Sequence, residues 1–211
     1  MLQVCEIFKS IQGESTHAGK VCSFVRLTGC NLSCSYCDTR YALTEGQWLS
    51  LEQVVRSMQE HRTRLVEITG GEPLLQAETP ALCRRFLELG YTVLVETNGT
   101  LDISLVPPPA VRIVDIKCPS SGHEGSFLQK NFSLLAPADE CKFVLSDEDD
   151  FFWALDVVHK EDLHETVSVS FSPNMKVLEP AALAGWILRE NAPVRLGLQL
   201  HKVIWGEKRG V

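Results

Sequence analysis

Short apolar runs recur along the whole chain, each cut off by turn-forming residues. Between several of them the apolar spacing switches from the two-residue period of a strand to the longer period of a helix. Residues 2–9 and 21–29 read as strands flanking a polar loop at 10–20. Ser50 to Gln53 is a capping box that opens a helix to about His61, with Val54, Val55 and Met58 on one face. Residues 64–69 form a strand ending at Gly70-Gly71-Glu72-Pro73, and 79–89 a helix stopped by Gly90. Strands at 91–96 and 111–116 close at Thr97-Asn98-Gly99 and at Lys117-Cys118-Pro119-Ser120. A strand at 141–145 leads into a helix at 147–160, whose acidic start, Asp147 to Asp150, suits the positive end of a helix dipole. A strand at 166–171 closes at Ser172-Pro173-Asn174, a helix covers 178–190, and a last strand over 194–200 closes at His201-Lys202. Residues 101–107 and 123–138 are irregular connections, so helices should be fewer than strands.

Strands alternating with helices at this spacing imply parallel βα units and an α/β fold, with chemistry collected beyond the C-terminal ends of the strands. About six such units fit, too few for a closed eight-fold barrel, so the expected architecture is a partial, open (βα)6-type barrel with some degenerate helical units, forming one domain over 1–211. Cys30, Gly71, Glu72, Asn98, Lys117, Ser172 and His201 all fall just past a strand end, and one rim would carry them.

With 45% hydrophobic and 22% charged residues, the composition is that of an ordinary globular protein. A net charge of -7 argues against a nucleic-acid partner, which needs a basic face, and favours a small-molecule substrate. No stretch reaches the length of a membrane span and the N-terminus has no signal-peptide pattern, so a cytoplasmic location with no membrane partner is expected. There the eight cysteines would stay reduced rather than form a disulfide framework.

Three of those cysteines, Cys30, Cys34 and Cys37, are crowded into one loop with three and then two residues between them. That spacing can turn three sulfurs toward one centre, as in the cysteine runs that hold iron-sulfur clusters, and leaves one iron of a four-iron cluster open. A structural zinc loop is the alternative, although zinc usually takes a second ligand pair and the remaining cysteines stand alone. Cys83 lies in an apolar helical pattern, as a small core residue would. The cysteine loop, with Tyr36 before its last thiol, resembles that of the radical S-adenosylmethionine (SAM) enzymes, in which the open iron chelates SAM. Gly70-Gly71-Glu72-Pro73 resembles the strand edge that binds the SAM amino group there, and a carboxylate such as Glu72 can accept from an ammonium. Taken alone, the glycines, Ser120, Ser172 and Asn174 are ordinary turn residues, and Tyr36 an ordinary core aromatic.

Gln12-Gly13-Glu14, Arg26, Cys37-Asp38-Thr39, Thr69, Glu96-Thr97-Asn98-Gly99, Asp115 to Pro119 and Gln199 to Lys202 together resemble the 7-carboxy-7-deazaguanine synthases, over residue 6 to the C-terminus. Ser15 departs from a pattern in which a second glycine commonly follows the Gln-Gly-Glu motif, which bears on loop flexibility. The resemblance implies conversion of 6-carboxy-5,6,7,8-tetrahydropterin into 7-carboxy-7-deazaguanine with loss of ammonia, a step of deazapurine and queuosine biosynthesis. It implies a [4Fe-4S] cluster, SAM and Mg2+ as cofactors, a flavodoxin- or ferredoxin-type electron donor, and a homodimer. It assigns Cys30, Cys34 and Cys37 to the cluster and Thr39 to magnesium. Tyr36, Cys37, Asp38, Gly71, Glu72, Cys118, Pro119, Ser120, Ser172, Pro173, Asn174 and Met175 would face SAM. Ile11, Gln12, Gly13, Glu14, Arg26, Thr69, His201 and Val211 would surround the pterin.

Arg26 suits a bidentate grip on a carboxylate, and the Thr39 hydroxyl is a hard oxygen of the kind magnesium takes. Outside the resemblance, Arg26 reads as a surface ion pair and His201 as a core or rim histidine. The residues after His201 are few enough to fold back over the rim, with Trp205 as an apolar anchor and the terminal carboxylate of Val211 turned toward the substrate. Two rival functions share parts of this pattern. A small radical SAM activase that makes a glycyl radical on a partner protein would keep the cysteine loop and glycine edge without needing Arg26 or Gln12. A zinc-binding interaction module would use the thiols alone.

Overall fold

The structure is a computed structural model that describes residues 1–211. Nine strands form one sheet: β1 (Leu2–Ile11), β2 (Val21–Leu27), β3 (Gln47–Leu49), β4 (Leu65–Gly70), β5 (Thr92–Thr97), β6 (Val111–Asp115), β7 (Glu140–Leu145), β8 (Ser168–Pro173) and β9 (Arg195–Leu196). Their spatial order is β3-β1-β2-β4-β5-β6-β7-β8-β9. From β2 through β9 every neighbouring pair is parallel, whereas β1 runs antiparallel to both β2 and β3. The sheet does not close on itself, as the expected partial barrel requires.

The helices are α1 (Leu51–Glu60), α2 (Thr79–Glu88), α3 (Glu148–Lys160), α4 (Leu163–Thr166), α5 (Pro180–Glu190) and α6 (Leu200–Trp205). The expected capping box forms: the Ser50 hydroxyl accepts from the Gln53 amide, and the Gln53 side chain accepts from the Ser50 amide. Asp147 caps α3 by accepting from the Asp150 amide.

Period-two alternation sorts each parallel strand into an apolar outer face and a mixed inner one. Val25 and Leu27 of β2, Val66 and Ile68 of β4, and Val93 and Val95 of β5 pack outward against Val54, Val55 and Met58 of α1 and Leu82, Cys83 and Phe86 of α2. Phe143 of β7 and Phe171 of β8 pack outward against Phe151 and Ala154 of α3 and Leu183 of α5. Inside, Cys22, Phe24, Leu65, Leu94 and Ile113 form a small apolar plug. Above it the inner positions turn polar, and the cavity begins there.

Two expectations need correction, and one strand was not foreseen. The last strand is two residues long instead of covering 194–200, and Leu200 starts a helix. The ladder with β8 stops because Pro173, at the end of β8, has no N–H to extend it. Thr166 ends a short helix, α4, so β8 begins at Ser168 rather than at 166. β3, pairing Gln47 to Leu49 with Val4 to Leu2, was hidden in a segment too short for a periodic signal.

Candidate active site

The C-terminal ends of the parallel strands open into one cavity. Lining it are Ile11, Gln12, Gly13, Glu14, Arg26, Cys30, Cys34, Tyr36, Cys37, Asp38, Thr39, Thr69, Gly71, Asn174, His201 and Val211. The rim expected from the strand ends therefore gathers residues that lie almost the length of the chain apart.

The cysteine loop is hung on the glycine edge of β4. The Glu72 amide donates to the Gly29 carbonyl at 2.8 Å and the Gly71 amide to the Leu27 carbonyl at 3.3 Å. A Cβ on Gly71 would stand 2.2 Å from the Gly29 oxygen and 2.6 Å from the Cys30 Cβ, so only glycine permits this approach. The Glu72 side chain, expected to meet an ammonium, is instead fully buried. Its carboxylate accepts from the Leu74 amide, the Thr97 hydroxyl and the Asn98 amide at 2.7 to 2.9 Å, which clasps β4 to β5.

All three thiols are free and face the same cavity. Burial raises the pKa of the Cys30 and Cys34 thiols. The Leu32 amide donates to the Cys30 sulfur at 3.4 Å and the Asn98 side chain approaches it at 3.9 Å, contacts that favour a thiolate. No three acidic, histidine or cysteine side chains stand close enough round one point to hold a single ion. Three free thiols with no fourth cysteine in the cavity lining fit a cluster that leaves one iron open better than a closed structural zinc site. His123 steadies the loop from outside, accepting from the Ser33 amide at 2.9 Å.

The other residues expected near SAM divide. The Asp38 carboxylate, which burial would raise, is held below the usual range by Lys202, 2.6 Å away. The Thr39 hydroxyl makes no cap bond and only a 3.9 Å contact to the Cys37 sulfur, so its oxygen is available to a ligand. Ser120 is tied to the buried Asp150 through amide and hydroxyl, and the Cys118 side chain packs in the outer core. Pro119, Ser172, Pro173 and Met175 lie outside the cavity lining. The Tyr36 hydroxyl and Oδ1 of Asp115, both on residues that line the cavity, are buried without hydrogen-bond partners, polar atoms that a bound ligand would satisfy.

On the opposite wall, Gln12 organises its loop: its Oε1 accepts from the amides of Glu14 and Ser15, and its Nε2 donates to Glu67 at 2.9 Å. Gly13 gives His201 room, since a Cβ there would lie 2.4 Å from His201 Nδ1. α6 docks on this loop through the Leu200 amide to the Gly13 carbonyl at 3.1 Å and through Gln199 to Glu14 at 2.7 Å. Arg26 is paired with Glu6 at 2.8 Å and lies over the Phe8 ring. Trp205 is not the expected apolar anchor, because more than a third of it is exposed; the tail is held elsewhere.

Two residues of the cavity escaped the sequence reading. Lys142 of β7 is buried and reaches Glu14 at 2.6 Å, Glu96, and Asp115 at 3.4 Å. Burial opposes its charge, but these carboxylates hold its pKa well above normal. Burial also opposes ionisation of Glu14, and Lys142 and His201 nevertheless keep its pKa low. Glu67 of β4, buried and beside Glu96, is pushed up to about 8. The available signal was weak: a charged residue, Glu67 or Lys142, inside an otherwise largely apolar strand, since strands buried on both sides are normally apolar throughout.

A sequence model described as the radical SAM superfamily matches residues 24–111, which contain the cysteine loop and glycine edge. A 7-carboxy-7-deazaguanine synthase of Koribacter versatilis is 43% identical over 100% of both chains. The chain belongs to the 7-carboxy-7-deazaguanine synthase family. A second such synthase, from Chlorobaculum tepidum, is 42% identical over 100% of this chain and 97% of its own. The crystal structure of QueE from Escherichia coli superposes with a TM-score of 0.74 at 21% identity, covering 94% of this chain and 93% of that one, a likeness of fold. No helix is long and apolar enough to cross a membrane.

Proposed function

We propose that this member of the family is a radical SAM lyase that converts 6-carboxy-5,6,7,8-tetrahydropterin into 7-carboxy-7-deazaguanine with loss of ammonia. The observation that carries the reading is the single cavity in which the three-thiol loop faces the Gln12 loop, Arg26 and His201. Full-length similarity to synthases of that name supports it.

Cys30, Cys34 and Cys37 would hold a [4Fe-4S] cluster, and the backbone at Gly71 with the polar atoms of Tyr36 and Asn174 would take SAM. When bound, the cluster and SAM would together supply one-electron chemistry able to remove hydrogen from the pterin. The chain itself orients and shields. Arg26, backed by Glu6, presents a fixed guanidinium to the substrate carboxylate. Gln12, Glu14, Thr69 and His201 border the same space, Ile11 and Gly13 shape it, and Val211 stands at its mouth. The Thr39 oxygen would bind Mg2+, which keeps waters and shares itself with substrate. The apolar plug below and α6 beside the site exclude water, strengthening each polar contact within it. The reading includes a cytoplasmic homodimer reduced by a flavodoxin- or ferredoxin-type donor.

The test is an anaerobic assay of the reconstituted enzyme with 6-carboxytetrahydropterin, SAM, Mg2+ and a reductant, followed by mass spectrometry. The expected product has the mass of 7-carboxy-7-deazaguanine, formed with one equivalent of ammonia. SAM cleavage with the pterin left unchanged would overturn the substrate assignment while leaving the cofactor assignment standing.

A further inference from the structure

After α6 the chain has little to hold it down. Gly206, at φ +64, turns the backbone, and Val203 and Ile204 before it are 61% and 55% exposed, so apolar burial does not fix the segment. Residues 207–211 make no backbone hydrogen bond to the rest of the protein. Glu207 and Lys208 make no side-chain bond either, yet Val211 lies against the cavity.

The exception is Arg209. Its Nε donates to Glu6 at 3.0 Å and its Nη1 to Glu45 at 2.7 Å. The guanidinium lies flat enough over Tyr41 for its carbon to stand 3.8 Å from the ring centroid. Glu6 is a shared partner. One of its oxygens accepts from Arg209, while the other accepts from Arg26 and from the Tyr41 hydroxyl, each at 2.8 Å. A single, largely buried carboxylate thus connects the tail to the arginine that faces the cavity.

We propose that Arg209 is a positioning residue: its clamp on Glu6, Glu45 and Tyr41 fixes residues 206–211 across the mouth of the cavity and sets how tightly the cavity retains its substrate. The inference rests on the proposed reaction for its kinetic part only. Planar guanidinium geometry is central to it, because two diverging carboxylates and one aromatic face are engaged together, which a lysine ammonium cannot match.

The test compares the reconstituted wild type with Arg209→Ala, Arg209→Lys and Glu45→Gln, reading deuterium uptake over 206–211, iron content and steady-state kinetics with the pterin. Arg209→Ala should exchange the tail faster and raise KM roughly tenfold, the scale expected of two half-exposed ion pairs and one stacked guanidinium acting together. kcat should stay within about twofold, and iron content should not change. Arg209→Lys and Glu45→Gln should fall between it and the wild type, and added salt should move the wild type toward Arg209→Ala. Unchanged exchange in Arg209→Ala overturns the clamp, and faster exchange with an unchanged KM overturns its role in retention. A wild type that fails to turn over the pterin counts against the proposed reaction instead, and the exchange comparison still decides the clamp.

Discussion

Replacing Glu67 by Gln should make the protein more stable in alkaline solution and leave it unchanged in acid. Glu67 faces inward from β4 with 3% of its surface exposed, and its hydrogen-bond partner in the cavity is the Gln12 amide. Burial, then the neighbouring Glu96, raises its pKa from 4.5 to about 8. Because the folded value lies above the unfolded one, the stability this group confers is complete below about pH 4.5 and is lost as the pH rises through about 8. Each pH step across that interval costs about 1.4 kcal/mol, so the loss is on the order of 3–5 kcal/mol. Glutamine keeps the shape and an acceptor for Gln12 and has no charge to bury. Urea unfolding of the cluster-free chain between about pH 5 and about pH 9 checks this: the two proteins should coincide at the acid end and separate steadily above it. Parallel curves across the whole range would show that Glu67 does not hold its proton on folding, and the reasoning would fail.

Other expectations follow from the same geometry. Cys30→Ala, Cys34→Ala or Cys37→Ala should each lose iron-sulfur absorbance, whereas Cys83→Ala, on the core face of α2, should keep it; wild-type iron in Cys34→Ala would remove the loop from the cluster site. Thr39→Ala should weaken the response of turnover to Mg2+ while retaining iron content and SAM cleavage, which a magnesium titration decides. Lys142→Met should cost about 3–5 kcal/mol at neutral pH by taking the lysine counterion from buried Glu14 and Glu96, whereas Asp115 keeps Lys117 at 2.9 Å. Glu14 has a lowered folded pKa, so its share of that cost is present above about pH 4.5 and disappears as the pH falls through the folded value, an effect visible in acid urea titrations.

The βα order, the capping box at Ser50 and the common rim were legible because each depends on local signals: period, cap residues and glycine turns. Cys30, Cys34 and Cys37 were legible because their spacing alone limits what they can bind. Glu72 misled because its motif names a residue, while its partners, the amides of Leu74 and Asn98 and the Thr97 hydroxyl, depend on how β4 meets β5. Lys142 and Glu67 were missed because a lone charge in a strand carries no motif, and its partners arrive from strands far away in sequence. The final strand was overdrawn because its apolar run is real, but its neighbour ends in a proline. Trp205 was preferred to Arg209 as the anchor because apolar burial can be guessed from residue type, whereas a clamp on Glu6, Glu45 and Tyr41 requires knowing that the two ends of the chain meet.

An unclosed sheet has two raw margins, and raw margins invite strand addition and fibrillar deposits. Here the outermost strands are Gln47–Leu49 on one side and Arg195–Leu196 on the other, three residues and two, and β3 covers β1 only from Leu2 to Val4. The stretch of β1 from Cys5 to Ile11 is the longest outer edge that no strand covers, and neither outermost strand is long enough to template a growing stack. Such brevity bears most on the newly made chain, which must stay dispersed until its inorganic centre is installed.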